Sequence, residues 1–444
     1  MVDLEQHPTV LRTRALSPAP AKDALTADLL RSWALEAGAD DAGVVSIDRP
    51  EIADESEQIR RWLPRAKTLL SFVVRMNREP IRTPARSAAN LEFHHKGDHI
   101  NEIAGRLVAK LERCGVAAVN PAMGFPMEMD EFPGRAWVVS HKRVAEAAGL
   151  GVMGIHRNII HPKFGNFILL GTVVIEAETE EESTPLDYNP CLECKLCVAA
   201  CPVGAISPTG DFNFQACYTH NYREFMGGFT DWVEQVADSK SASDYRGRVE
   251  DNESASMWQS LSFGANYKSA YCLSACPAGE DVISPWLDDR KRHLDEVVKP
   301  LQQKVEPIYV APGTDAEEHV AKRFPHKRIR RVGSGLRPRT ARGFLDGVPL
   351  TFQPGKSKGL SAVYHFRIGG EESLDATITI EHQQITTCEG LHGKADLVVE
   401  ADSKTWLEFL RRDRGIAGAL LTRKIRLRGS PKLLLAFGKC FPQA

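Results

Sequence analysis

The chain has 444 residues, of which 43% are hydrophobic and 26% charged, and its formal net charge is −2. At roughly 100–200 residues per domain this length predicts two to four domains, and the composition excludes a wholly disordered or fibrous chain. The near-neutral charge gives no indication of a nucleic-acid or membrane-surface protein, and no apolar run approaches the roughly 18–20 residues of a membrane helix.

Residues 1–22 are predicted to form a flexible tail. They carry charged residues, prolines and serines but no long apolar stretch, so they do not resemble a signal peptide. We therefore expect a cytoplasmic protein. In the reducing cytosol, clustered cysteines are more often metal ligands than disulfides.

Residues 23–180 are predicted to form one α/β domain, because helical and strand patterns alternate along them. Apolar residues three and four positions apart predict helices over residues 25–37, 100–113 and 142–148. Short apolar runs predict strands over residues 42–47, 68–74, 116–119, 136–139 and 167–175. The acidic and polar residues 176–187 are interpreted as a linker to the next domain.

A glycine-rich loop, Gly149–Gly154, matches the pattern G-x-G-x-x-G. The dinucleotide-binding fingerprint requires a strand before this loop and a helix after it. Here a predicted helix precedes the loop, and Pro162 and Gly165 follow it. We therefore do not expect a nicotinamide or flavin site at this loop.

Seven of the ten cysteines lie between residues 191 and 276. Cys191, Cys194, Cys197 and Cys201, followed by Pro202, form the run C-x2-C-x2-C-x3-C-P of bacterial ferredoxins, whose fourth cysteine binds a second cluster. Structural zinc sites usually use two separated Cys/His pairs instead. The run therefore predicts a 4Fe–4S cluster rather than zinc.

The first cluster is expected to take its fourth ligand from a second, shorter motif. Cys272, Cys276 and Pro277 form C-x3-C-P. In two-cluster ferredoxins the last cysteine of one motif binds the cluster of the other motif. The predicted ligands of the first cluster are therefore Cys191, Cys194, Cys197 and Cys276.

The second cluster lacks one cysteine. Its predicted thiolate ligands are Cys201, Cys217 and Cys272. The position three before Cys272, where a complete motif has a cysteine, is Ser269, whose alkoxide is a weaker ligand for iron. The alternatives are serine as the fourth ligand, a three-cysteine cluster with an open iron, or no second cluster. The three remaining cysteines are interpreted as small hydrophobic residues: Cys114, Cys388 and Cys440.

Residues 188–285 are predicted to be a ferredoxin-like double-cluster domain, with the polar stretch Asp238–Ser256 as a surface excursion. Residues 286–345 are predicted to be a helical and basic linker. From His319 to Leu345 there are nine Lys and Arg and no Asp or Glu. Such a basic block can bind phosphate or an acidic redox partner, or it can be the solvated face of a linker. We favour the solvated face.

Residues 346–442 are predicted to form an α+β domain. Alternating and β-branched segments predict antiparallel strands over residues 362–367, 376–381, 384–389 and 395–400. Helices are predicted over residues 405–412, 416–422 and 432–437.

Several motifs across about residues 25–285 resemble epoxyqueuosine reductases and cobalamin-dependent reductive dehalogenases in order and spacing. They are Ala148–Gly154, Asn158–Gly165, Leu170–Thr172, the ferredoxin cysteines, and Gln215–Tyr218, where that family has its isolated cysteine. The resemblance implies a cobalamin-binding α/β core fed by two 4Fe–4S clusters. It also implies that the cobalt reduces an epoxide or a carbon–halogen bond.

The chain departs from this family at defined positions. A gapless match puts Arg135 where epoxyqueuosine reductases carry an acidic proton donor, and Ile155 replaces a lysine beside His156. Together with Ser269 in place of a cysteine, these differences make epoxyqueuosine reduction itself unexpected. The twin-arginine export signal of dehalogenases that work outside the cytoplasm is also missing. We therefore interpret the chain as a divergent member.

Residues of about 340–442 resemble a sterol carrier protein type-2 domain. The motifs are Tyr364–Phe366, Ala376–Ile380, Gly390–Leu397, Ala401–Trp406 and Ile425–Gly438. The resemblance implies a sheet and helices around an apolar tunnel for a lipid, sterol or fatty acyl chain; a packing or dimerisation module is the alternative. The apolar side chains expected to line the core or tunnel are Val363, Phe366, Ile378, Ile380, Trp406, Phe409, Leu410 and Leu420.

Two functions of different classes follow from these patterns. The first is a cytosolic iron–sulfur oxidoreductase, with cobalamin as a candidate cofactor and an apolar substrate delivered by the C-terminal domain. The second is a non-catalytic electron-transfer and lipid-binding protein. The expected partners are an electron donor such as ferredoxin or flavodoxin and a lipid ligand, without nucleic acid.

Candidate catalytic and cofactor-binding residues flank the glycine-rich loop. His141 and His156 are candidate proton donors, because histidine titrates near neutral pH. Lys142, Arg143 and Arg157 are candidates for binding a cofactor through phosphate or carboxylate groups.

Overall fold

Four strands near the N terminus form the first of two main sheets. The computed structural model describes residues 4–15, 25–121, 137–411, 413, 418 and 422–442. The strands of this sheet are β1 (Asp41–Ser46), β2 (Thr68–Arg75), β3 (Ala118–Val119) and β6 (Ile168–Ile175), in the order β1-β2-β6-β3. The intervening short strands β4 (Val152–Met153) and β5 (Ile159–Ile160) pair with each other.

Helices cover both faces of this sheet. Ala27–Ala37 and Arg86–Arg113 pack against one face, and Ser56–Trp62 and His141–Ala147 pack against the other. Because both faces are buried, β2 is a continuous apolar run rather than an alternating one.

The class predicted for residues 23–180 requires correction. Alternating helices and strands favour a parallel sheet, but each pairing described in this sheet is antiparallel. The strands predicted over 42–47, 68–74, 116–119 and 167–175 are confirmed to within two residues. The strand predicted over 136–139 is wrong for residues 137–139, which form no strand, and residue 136 lies outside the described residues.

The segment between Cys217 and Cys272 is helical. Arg223 anchors it, because its buried guanidinium lies 2.8 Å from carboxylate oxygens of both Asp231 and Glu253. The predicted surface excursion therefore belongs to an insert tied to the core by a buried ion-pair network. Its helices are Met226–Ala237, Ala242–Arg248 and Asp251–Phe263.

The predicted basic linker is a folded unit. Strands β7 (Pro307–Val310) and β8 (Arg328–Arg331) are parallel and are connected by the helix Asp315–Arg323. Ile308, Val310 and Val320 pack in one core with cysteines of the ferredoxin-type region. The linker prediction is therefore wrong for residues 307–331.

Several basic side chains of this unit pair with the helical insert. Arg330 lies 3.5 Å from Glu253, and Arg337 lies 2.7 Å from Glu234. These arginines therefore neutralise acidic residues of the same chain, which neither predicted role of the basic block foresaw.

The remaining helical segments are short. They are Leu4–Gln6, Pro8–Ala15, Ala53–Glu55, Arg78–Arg82, Leu196–Ala200, Phe214–Asn221, Tyr271–Ala275, Glu280–Asp288, Arg290–His293, Leu294–Val298 and Lys299–Gln303. Pro8–Ala15 falls in the predicted tail and contains no buried side chain. No helix of the described ranges is long and apolar enough to cross a membrane.

The second main sheet belongs to the C-terminal domain. The strands are β9 (Ala362–Gly369), β10 (Leu374–Glu381), β11 (Gln384–Glu389), β12 (Leu397–Asp402) and β13 (Ile425–Gly429). Their order is β11-β10-β9-β12-β13, and β12 runs parallel to β9, so the sheet is mixed rather than wholly antiparallel as predicted. The helical segments are Ala341–Thr351, Pro354–Ser357, Ser403–Leu410 and Pro431–Cys440.

The core of this domain contains a cluster of aromatic side chains. Phe344, Phe366 and Trp406 contact one another with ring centroids 5.2–5.4 Å apart. Of the side chains expected in a core or tunnel, five lie in this core: Phe366, Ile378, Ile380, Trp406 and Leu410. Phe409 packs against the core, and Val363 is half-buried. Leu420 and most of the helix predicted over 416–422 lie outside the described residues.

A buried glutamine joins the C-terminal domain to the ferredoxin-type region. The Gln353 amide donates to Gln215 Oε1 at 2.7 Å and to Thr351 O at 3.0 Å. Its oxygen accepts from Asn213 Nδ2 at 3.3 Å and from the Asp315 backbone N–H at 3.0 Å. Since Gln353 is fully buried, the two regions meet at a specific, hydrogen-bonded contact.

Candidate iron–sulfur centre

Four cysteines line one cleft. They are Cys191, Cys194, Cys197 and Cys276. Lys195, in the left-handed region at φ 56°, reverses the chain between Cys194 and the helix Leu196–Ala200. The cleft therefore gathers the cysteines that ferredoxin spacing assigns to the first cluster, and their role as ligands stays a prediction.

Burial makes these thiols poor acids on their own. It raises the pKa of Cys276 to about 12, and it raises the pKa of Cys197 further. Thiolates become favourable here only when a bound cation compensates their charge. Soft, clustered sulfur donors of this kind suit iron–sulfur clusters.

A second group of cysteines lies beside the first. Cys201, Cys217 and Cys272 contact one hydrophobic core. Burial, followed by the nearby charge of Cys201, raises the pKa of Cys272 to about 11. Burial, followed by the charges of Cys272 and Cys201, also raises the pKa of Cys217. The three sulfurs are thus close enough to interact electrostatically.

The helices Leu196–Ala200 and Tyr271–Ala275 are local repeats of one another. A residue with positive φ begins each, Lys195 at 56° and Ala270 at 51°. An extended cysteine ends each, Cys201 or Cys276. By this correspondence Ser269 occupies the place of Cys194.

Ser269 is buried, and its hydroxyl donates to Asn221 Oδ1 at 3.1 Å. The same oxygen accepts the backbone N–H groups of Ser269 at 3.0 Å and Ala270 at 2.8 Å. Asn221 therefore fixes the turn before the helix Tyr271–Ala275. Sequence reasoning missed Asn221, since a single asparagine about 50 residues away carries no local signal.

The three candidate cofactor-binding side chains are separated. Arg143 pairs with Asp54 at 2.8 Å and Glu55 at 3.0 Å, and these contacts raise its pKa. Lys142 Nζ donates to Arg157 O at 2.6 Å and Asn158 Oδ1 at 3.0 Å. Burial lowers the pKa of Lys142, whereas the charges of Cys272 and Cys217 raise it, which places Lys142 near the second cysteine group.

The Arg157 guanidinium contacts Gly210 O at 3.4 Å, and its side chain is exposed. Because Arg157 is exposed and Arg143 is paired with Asp54 and Glu55, the side chains of Lys142, Arg143 and Arg157 do not line one cationic pocket. These three side chains therefore do not form a shared binding site for the phosphate of a corrinoid.

The two candidate histidines differ in environment. His141 Nδ1 lies 2.8 Å from Thr172 Oγ1. His156 is buried, and its Nδ1 accepts the Asn158 backbone N–H at 3.1 Å. Burial lowers the pKa of His156 to about 4, so the expectation of titration near neutral pH does not hold for it.

The second nitrogen of His156 also has a partner. Nε2 lies 3.2 Å from the Asn166 amide, whose oxygen is buried without a described partner. Turning this amide lets its oxygen accept the Nε2–H proton, which satisfies the imidazole. His156 is then a neutral, fully hydrogen-bonded side chain in the wall of the first cleft.

Within the described ranges, no group of three or more His, Cys, Asp and Glu side chains is arranged to hold a single metal ion. A cubane is larger than one ion and spreads its thiolates more widely, so this observation does not bear on a cluster. Arg135 lies outside the described residues.

The two cysteine groups are interleaved on a repeated helix, an arrangement that suits two neighbouring iron–sulfur clusters. Residues 184–207 match the 4Fe-4S binding domain, and residues 352–442 match the SCP-2 sterol transfer family. The first match supports the prediction of a 4Fe–4S cluster, and the second supports the resemblance to a sterol carrier protein type-2 domain.

Curated relatives are epoxyqueuosine reductases. The protein of Staphylococcus aureus is 38% identical over 80 residues, covering 18% of this chain and 20% of its own. That of Leadbetterella byssophila is 26% identical over 207 residues, covering 40% and 64%. The chain thus spans between a fifth and about two thirds of the length of these two relatives.

Several solved structures are also similar to this chain. The epoxyqueuosine reductase of Streptococcus thermophilus matches at 16% identity with a TM-score of 0.35, covering 61% of this chain and 74% of its own. Reductive dehalogenases and an epoxyqueuosine reductase bound to a tRNA stem loop also match.

Proposed function

We propose that the chain is an iron–sulfur reductase that passes electrons through two cysteine-ligated clusters to a substrate. The observation that carries the proposal is the interleaving of the two cysteine groups. Helix Leu196–Ala200 joins Cys197 of the first group to Cys201 of the second, and the helix Tyr271–Ala275 joins Cys272 to Cys276. Clusters held this way are neighbours, and each supplies single-electron transfer when bound.

The first site is suited to accept electrons from a partner. Leu192 and Glu193, in the loop that carries Cys191 and Cys194, are exposed. Cys201 of the second group is buried. We propose that ferredoxin or flavodoxin reduces the first cluster and that the second cluster passes the electrons inward.

The chain's own residues set the environment of these sites. The Ile155 backbone N–H lies 3.4 Å from Cys191 Sγ, and the Ala205 backbone N–H lies 3.3 Å from Cys201 Sγ. Such donors stabilise negative charge on sulfur and so favour the reduced state of a cluster. Cobalamin as a cofactor stays a prediction.

We further propose that the C-terminal domain binds a lipid, sterol or fatty acyl chain. The match to the SCP-2 sterol transfer family supports this role. The buried contact at Gln353 supports a ligand held close to the ferredoxin-type region rather than on a detached module.

The proposed function is tested by anaerobic purification of the full chain with iron, sulfide and cobalt analysis and an ultraviolet–visible spectrum. Iron and sulfide in equal amounts, with a charge-transfer band bleached by dithionite, are expected for clusters. Their absence contradicts the reductase proposal. Clusters without turnover of any epoxide or organohalide substrate favour the electron-transfer alternative instead, and a gel-shift assay with tRNA checks the prediction that nucleic acid is not a partner.

A further inference from the structure

The fourth corner of the second cysteine group is the feature that the proposed function leaves unexplained. The helix repeat places Ser269 where the first group has Cys194. Cys194 gives the first group its fourth cysteine, whereas the second group has three, Cys201, Cys217 and Cys272. The ligand available to the fourth iron of the second group, here called the fourth corner, decides which kind of cluster can form there.

The Ser269 hydroxyl is engaged in fixing the backbone. It donates to Asn221 Oδ1, the same oxygen that accepts the amides of Ser269 and Ala270. Binding iron as an alkoxide requires loss of the proton that makes this hydrogen bond. It also adds a negative charge beside three thiolates, which is unfavourable in a buried site.

Hydrogen-bond donors approach the second cysteine group from another part of the chain. Asn158 Nδ2 lies 3.9 Å from Cys272 Sγ. Lys142 lies near Cys217 and Cys272, and two of its N–H groups donate to Arg157 O and Asn158 Oδ1. Since Asn158 Oδ1 accepts this hydrogen bond from Lys142, neither side chain offers a free anionic ligand to the fourth corner.

We propose that the second site holds a cluster bound by only three thiolates, and that its fourth iron takes a water molecule as an exchangeable ligand. This inference rests on the proposed function, since it needs the clusters to be present. The unpaired corner gives that iron two properties that the other irons lack. It can exchange its ligand, and it can leave the cluster on oxidation.

Removal of one electron from such a cluster by ferricyanide converts the 4Fe–4S(2+) form to the 3Fe–4S(1+) form and releases one Fe(2+). The electron reduces ferricyanide to ferrocyanide, and the four sulfides stay with the protein. The three-iron product has its own electron paramagnetic resonance (EPR) signal.

The test compares the anaerobically purified wild-type chain with Ser269→Ala and Ser269→Cys. Stoichiometric ferricyanide should produce the three-iron EPR signal and free iron in the wild-type protein and equally in Ser269→Ala. Ser269→Cys should suppress both by at least fivefold, because the new thiolate holds the fourth iron. Ser284→Cys, on an exposed position of the helix Glu280–Asp288, controls for an added thiol.

Oxygen-17-enriched water supplies a second readout. It should broaden the EPR signal of the reduced second cluster in the wild-type protein and not in Ser269→Cys. Two intact clusters without a three-iron signal, or loss of the second cluster in Ser269→Ala, overturn the inference and leave the reductase proposal standing. A protein without iron and sulfide overturns both.

Discussion

Replacing Gln353 with alanine tests the contact between the C-terminal domain and the ferredoxin-type region. The substitution removes four hydrogen bonds, to Gln215, Thr351, Asn213 and Asp315. At roughly 0.5–1.5 kcal/mol each, with partial replacement by water, the expected loss is about 2–4 kcal/mol. Urea unfolding followed by tryptophan fluorescence measures it.

Gln353→Glu separates the donor from the acceptor bonds. At neutral pH the introduced carboxylate keeps the bonds from Asn213 and Asp315 but faces the oxygens of Gln215 and Thr351. Burial and these oxygens should raise its folded-state pKa above the unfolded value of about 4.3. Stability is then retained below about pH 4.3 and lost as pH rises through the folded-state pKa, whereas the alanine variant lacks this pH dependence.

The exposed Gln384→Ala is the matched control and should change stability by less than about 0.5 kcal/mol. An unchanged urea midpoint for Gln353→Ala would refute the reasoning, because it would mean that the contact contributes nothing to the folded state.

Three further outcomes are expected. Cys194→Ala should lose roughly half of the bound iron, because one of two cubanes is removed. The control Cys388→Ala, at an exposed cysteine, should lose none. Equal iron content in the two variants would contradict the assignment of Cys194 as a ligand. Burial lowers the pKa of His220 to about 4, so the native state should lose about 3 kcal/mol as pH falls from about 6.5 to 4. His220→Gln should flatten that part of the stability profile, and an unaltered slope would count against it. A fluorescent fatty acid should bind the full chain and be displaced by unlabelled lipid, and absence of binding at micromolar lipid would favour the packing-module alternative.

The cysteine groups were predictable because their signal is local. The spacing of Cys191, Cys194, Cys197 and Cys201 fixes which chemistry they suit, and the structure places Cys276 beside the first three as ferredoxin spacing requires. The strands of the C-terminal domain were predictable for the same reason, since their alternation is visible in short windows.

Features set by distant contacts were not predictable. The direction of strand pairing depends on how connections return, which local patterns do not encode. Residues Arg328–Arg331 form a strand despite their charge. Acidic side chains from other parts of the chain pair with its arginines, Glu250 and Glu253 with Arg330 and Glu317 with Arg331. The hydrogen bond between Ser269 and Asn221 likewise joins positions about 50 residues apart that no pattern connects.

The repeated helices also limit how the two cysteine groups can change. Leu196–Ala200 and Tyr271–Ala275 each present one cysteine to each group, so a rotation or shift of either helix displaces sulfurs of both groups at once. A substitution that repositions one helix therefore perturbs the two centres together. Ser269 differs from these cysteines because it lies just before a helix, at a position that corresponds to the second group alone. A substitution there should leave the cysteines of the first group in place.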